Sequence, residues 1–151
     1  MSAQTPSQTQ NQTQAQKPQL KYPFRLKFGK ANVYELWYNP TMKVEEVIEE
    51  AFKLASQGNI VVIRGIIKGV VDQNNVSVTI LPNGVYRLDL MIGFRMMGAR
   101  GAVPNAIGLR PQEIDEAIKL LNEAKKLIPK LNEAQVKVYG TVLYGFEETT
   151  T

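Results

Sequence analysis

Residues 21–38 read KYPFRLKFGKANVYELWY, a run in which basic and aromatic side chains interleave and which holds the chain's one tryptophan, Trp37. Unstacked nucleic-acid bases need aromatic planes, and the phosphates between them need cations. Base–aromatic stacking contributes about 1–3 kcal/mol per base and is tolerant of sequence. Duplex DNA hides its base faces, so a pure duplex binder would need the cations without the aromatics. The same companionship recurs further on, where Tyr86 adjoins Arg87 and Phe94 adjoins Arg95. On this basis Arg25, Lys27, Lys30, Arg64, Lys68, Arg87, Arg95 and Arg100 are candidate phosphate ligands, and Tyr22, Trp37, Tyr38 and Phe94 are candidate stacking residues. The competing reading is a hairpin edge with Phe24, Leu26 and Phe28 in a core and the lysines merely solvated. Alternation leaves the side taken by Trp37 open, since it shares a strand face with Val33 and Glu35.

Composition narrows the chemistry. With 18 Lys and Arg against 14 Asp and Glu, the net charge is +4. The placement says more than the sum: residues 20–40 carry four bases and one acid, and residues 60–110 six bases and two acids. The excess cations therefore fall on predicted strands and a loop, while Glu45, Glu46, Glu49 and Glu50 make a helix acidic. Such a two-sided layout is the footprint expected of nucleic-acid binding. The chain has no cysteine and no histidine, which excludes disulfides, thiolate metal sites and every mechanism built on a histidine base. The acids Asp72 and Asp89 stand alone in sequence, and there is no phosphate-binding or dinucleotide glycine motif. We expect no catalytic residues, no metal, no cofactor and no small-molecule substrate. No apolar run is long enough to span a bilayer and no leader pattern opens the chain. The expectation is a cytoplasmic, nucleoid-associated protein.

The elements that must position these residues follow from periodicity. Residues 1–19 form a Gln/Thr-rich tract with almost nothing to bury, read as a disordered tail. Residues 20–148 form one domain. Alternation predicts strands around Phe24–Phe28 and Val33–Tyr38, then a helix capped by Asn39-Pro40 that buries Val44, Val47, Ile48, Ala51, Leu54 and Ala55 and stops at Gly58. NIVVIRGIIKGVV reads as a central strand, with Gly65 and Gly69 allowing a bulge or a close approach. VSVTIL and VYRLDLMIGF form a hairpin through Pro82-Asn83-Gly84. A loop of about 15 residues, RMMGARGAVPNAIGL, is long for a compact domain. A helix over 111–134 follows, then a last strand, QVKVYGTVLYGFE. The order is ββαβββαβ: an α+β fold with a mainly antiparallel sheet and two helices on one face, leaving the basic face open.

The second helix carries more apolar surface than one core contact uses. Ile114, Ile118, Leu121 and Ile128 form one stripe; Ala117, Leu120, Ala124, Leu127, Leu131 and Ala134 form a second beside it. A zipper-like homodimer through Ile114, Ile118, Leu121, Leu127, Ile128 and Leu131 is expected. Pro129 predicts a kink or a split in the element.

Taken together, YPFRLKFGK, YELWYNPTMKVEEVIEEAFKLASQGNIVVIRGI, the GFRMMGARGA loop and the leucine-rich helix resemble ThermoDBP, the single-stranded DNA-binding family of the Thermoproteales, hyperthermophilic archaea. The likeness covers nearly all of the chain after the tail. It implies a non-enzymatic cytoplasmic dimer joined through the C-terminal helix, serving DNA replication and repair. Bases would lie in a basic cleft flanked by apolar and aromatic side chains, without sequence preference. The predicted strand after the helix departs from that pattern. The alternatives are an Alba-like chromatin or RNA-binding protein, for which the helix-then-strand cadence of residues 39–65 speaks, and an assembly protein without nucleic acid. RNA remains the alternative single strand, since the choice depends on contacts to the 2′-hydroxyl.

Overall fold

The computed structural model describes residues 25–26, 32–71, 73–93, 95–97 and 108–143, with the backbone alone at 25–26 and 95–97. The elements are β1 (Arg25–Leu26), β2 (Val33–Trp37), α1 (Val44–Ala55), β3 (Ile60–Lys68), β4 (Asn75–Ile80), β5 (Tyr86–Ile92), β6 (Arg95–Met97) and α2 (Pro111–Tyr139). The six strands form one sheet in chain order, four longer strands flanked by two short ones. The fold is therefore α+β with a mixed sheet. One pair, β2 with β3, is parallel, because α1 carries the chain back between them. The other neighbours are antiparallel.

The sheet's alternation fills one face with apolar side chains. Tyr34, Val61, Ile80 and Tyr86 make one row across it, and Leu36, Ile63, Val78 and Leu88 the next. Onto these rows α1 lays Val47, Ile48, Ala51, Phe52, Leu54 and Ala55. Phe52 was not among the residues expected there; it is fully buried, edge-on to Tyr86 and Tyr139 at ring separations of 6.1 and 6.2 Å. The stripe of α2 from Ala117 to Ala134 lies on the same side. Leu127 and Leu131 thus belong to the core, and the expected interface loses both.

Three element boundaries differ from expectation. Asn39 caps a turn instead of the helix: its carboxamide oxygen accepts from the Thr41 amide at 2.8 Å, and its carbonyl from the Met42 amide. Lys43 is then extended, so α1 begins only at Val44. In the expected long loop, Arg95–Met97 instead pair with β5. Most consequentially, α2 continues through Pro129 to Tyr139, which removes the expected split and turns the start of the predicted last strand into helix. The reason is tertiary. Buried Gln135 donates to the Gly84 carbonyl and exchanges hydrogen bonds with the backbone of Leu143. One turn on, the Tyr139 ring rests on Gly84, in the left-handed region at φ +93°, and its hydroxyl donates to the Pro82 carbonyl at 2.9 Å. Alternation in QVKVY cannot outweigh partners waiting at helical spacing. Gly140, at φ +82°, ends the helix. The tail, and residues 144–148 of the domain, lie outside the described residues.

Replacing Gln135 with Ala leaves the Gly84 carbonyl and the Leu143 backbone without their partner. Chemical denaturation should show a loss of about 1–3 kcal/mol, and amide exchange should rise first at the β4–β5 turn.

Candidate nucleic-acid interface

Strand alternation sends Val33, Glu35 and Trp37 of β2, Val62, Arg64 and Lys68 of β3, Asn75, Ser77 and Thr79 of β4, and Arg87, Asp89 and Met91 of β5 to the face away from the helices. Trp37 pairs in register with Arg64. Its side, undetermined by pattern, is therefore the second face, and it is 49 % exposed.

The position of the indole depends on an irregularity in β3. Ile63 opposes Val78 and Ile67 opposes Val76, so four steps of β3 match two of β4. Gly65 sits within this bulge at φ +67°. A methyl group in place of its hydrogen would lie 3.2 Å from Trp37 Cε3 and 3.8 Å from Lys68 Cε. The bare backbone at Gly65 thus lets the Trp37 ring settle across the strand, with the Lys68 side chain close on the same side. An expected close approach becomes a shelf for an aromatic plane.

The cations on this face are not all alike. Lys68 is exposed and has no carboxylate partner among the described residues. Arg64 forms an ion pair through Nε with the Glu35 carboxylate, which is almost entirely buried. Arg87 lies against Asp89, Nε 2.6 Å from Oδ1, with Nη2 donating to Oδ2 at 2.8 Å. Two of the predicted phosphate ligands thus share their charge with an acid. Sequence reasoning put Glu35 on the Trp37 face but missed its pairing, and took Asp89 as isolated. The face is also less open than expected: Asn75, Ser77 and Asp89 are buried, while Trp37 and Lys68 are exposed. Accessible chemistry concentrates at β2 and β3.

Tyr38 must be moved. It follows Trp37 and turns the other way, packing against the helix-side core with its hydroxyl donating to the Met42 carbonyl at 2.7 Å. Burial, then the Glu45 carboxylate, push its hydroxyl above the usual tyrosine range. It cannot stack beside Trp37. Of the remaining candidates, Arg25 is opposite Glu35 and Arg95 opposite Ile92 in the ladders. Tyr22, Lys27, Lys30, Phe94 and Arg100 lie outside the described residues.

Away from this face, the first α2 stripe is outside the core: Ile114, Ile118 and Leu121 are exposed, and Ile128 is half-buried. The α1–α2 seam is bridged by Lys130–Glu45 at 2.6 Å and Lys137–Glu49 at 3.5 Å, surface pairs that add little stability. Among the described residues no group of acids could hold a metal ion, and no helix is long and apolar enough to cross a membrane.

Gly65→Ala should strain the left-handed backbone by about 1–2 kcal/mol and lift the indole from the strand. The checks are a lower denaturation midpoint and a shift in Trp37 emission, the latter absent from a control at exposed Gly58. No family model, curated protein or solved structure matches the chain.

Proposed function

We propose that this chain is a sequence-independent single-stranded DNA-binding protein, as its resemblance to the ThermoDBP family implies, with its binding surface centred on the β2–β3 part of the second sheet face. The observation that carries the reading is the half-exposed Trp37 ring supported on Gly65, with Lys68 and Arg64 beside it. An aromatic plane held by backbone on one side offers its other side to a base, at little cost in side-chain ordering. Neighbouring cations then suit the phosphates on either side of that base. Core packing does not require this arrangement, because α1 and α2 already cover the opposite face. Arg87, two strands away, would take a more distant phosphate. The role is binding and protection of strands, without catalysis, in a nucleoid setting.

Titration of Trp37 fluorescence with oligo-dT at two salt concentrations is the direct test. Quenching should weaken at higher salt, with a slope of about −0.7 per phosphate contacted. Trp37→Ala should weaken binding, measured by oligonucleotide anisotropy, by about 1–3 kcal/mol. Absence of any quenching at low salt, with the protein folded, would sink the reading. Full competition by duplex DNA would favour the Alba-like alternative.

The exposed stripe Ile114, Ile118 and Leu121 supports a homodimer as part of the same proposal, joined by half of the surface expected from sequence. Light scattering should give twice the 16.9 kDa chain mass. Ile118→Glu, at an exposed position, should return a folded monomer; a wild-type monomer at high concentration would refute the dimer.

A further inference from the structure

Two arginines on the second sheet face share one design. Each arginine side chain is between a quarter and a third exposed, and each rests on an acid whose side chain is almost wholly buried: Arg64 at 30 % on Glu35 at 5 %, Arg87 at 27 % on Asp89 at 4 %. An acid in a nucleic-acid interface is ordinarily a liability, since it repels phosphates. Here the acids lie beneath the cations.

The geometry points to Glu35 as a positioning residue for strand binding, acting through Arg64; this inference rests on the proposed function. Glu35 and Trp37 are two residues apart on β2 and so share a face, and Trp37 is the register partner of Arg64. The carboxylate engages Nε, one edge of the planar guanidinium. A guanidinium is rigid, so fixing that edge also fixes where its two terminal nitrogens point. Those nitrogens form the second edge, which matches two oxygens of a phosphate in a bidentate contact. An unheld arginine would search many rotamers and lose that freedom on binding. Held by Glu35, Arg64 stays beside the Trp37 ring. A strand that stacks a base on the indole would then meet a guanidinium already placed for an adjoining phosphate. Burial of Glu35 strengthens its hold and keeps its charge behind the arginine.

This role and simple repulsion predict opposite signs. Glu35→Gln keeps the shape and removes one negative charge. If the acid only repels, oligo-dT binds more tightly. If it positions Arg64, anisotropy titrations of the full chain with labelled oligo-dT should show binding weaker by about tenfold, the scale of one charge-assisted contact. The salt slope should fall by about 0.7, one phosphate on a single strand. A merely structural role would not move that slope, and Glu35→Asp should restore part of the affinity.

Should Glu35→Gln unfold, Arg64→Gln and the double variant E35Q/R64Q carry the test. Positioning of Arg64 predicts that the double variant binds no more tightly than R64Q, because the arginine it acts through is already gone; repulsion predicts tighter binding by the double variant. Tighter or unchanged binding by E35Q, or a double variant tighter than R64Q, overturns the inference while leaving the proposed function intact. A wild-type protein that binds no oligo-dT overturns both.

Discussion

Leu120 and Leu131 of α2, both fully buried, seat the two halves of that helix in two adjoining clusters of the sheet core. Together with Phe52 of α1, they cover the apolar rows of β2 to β5. This one-sided burial is the constraint on which the remaining features depend. A sheet sealed on one face by helices must place every second residue on the other face, whatever those residues are. Trp37, Arg64, Glu35, Arg87 and Asp89 stand together because Leu36, Ile63, Val78, Tyr86 and Leu88 had to turn the other way. The polar face around Trp37 thus arises from the same periodicity that builds the core.

The second face modifies that rule in an instructive way. A regular β3 would place a side chain at each position along its length. Gly65, within the bulge, lacks one, and the indole of Trp37 takes the space. Its aromatic surface is therefore supported without being consumed by the core. Nearby, buried carboxylates rather than water hold the arginines. Breaking such a pair by removing one partner is costly, since the remaining charge is stranded. This gives the face a fixed charge geometry, unlike exposed Lys68, which has no carboxylate partner among the described residues.

The hairpin at Pro82-Asn83-Gly84 and the end of α2 depend on each other in a similar manner. Asn83 closes the turn by accepting from the Val85 amide at 3.0 Å, and Gly84 leaves room for the Tyr139 ring. Gln135 then satisfies the turn's carbonyl from inside the core. Together these contacts extend the helix past the point where its apolar stripe ends.

Much was legible from sequence. Strands β1 to β5, both helices, the β4–β5 hairpin and the two separate stripes of α2 follow from periods of 2 and 3.6 and from glycine and proline positions. The candidacy of Trp37, Arg64 and Lys68 follows from residue type, but their adjacency does not. Other properties depended on contacts distant along the chain. Alternation assigned Gln135–Tyr139 to a strand, because a local pattern cannot register that Gly84 waits 51 residues away. It could not choose a side for Trp37, since Val33 and Glu35 are not decisive companions; it did set Tyr38 opposite Trp37, and residue type alone made Tyr38 a stacking candidate. It counted Arg64 and Arg87 as unshared charge: the pairing of Arg64 with Glu35 across 29 positions is set by strand register, whereas Asp89, two residues from Arg87 on the same strand face, was a local partner passed over. Sequence by itself determined which residues alternate and which are cationic or aromatic. Only the tertiary structure decided that Glu35 holds Arg64 and that Trp37 is the aromatic presented, because both depend on which strands become neighbours.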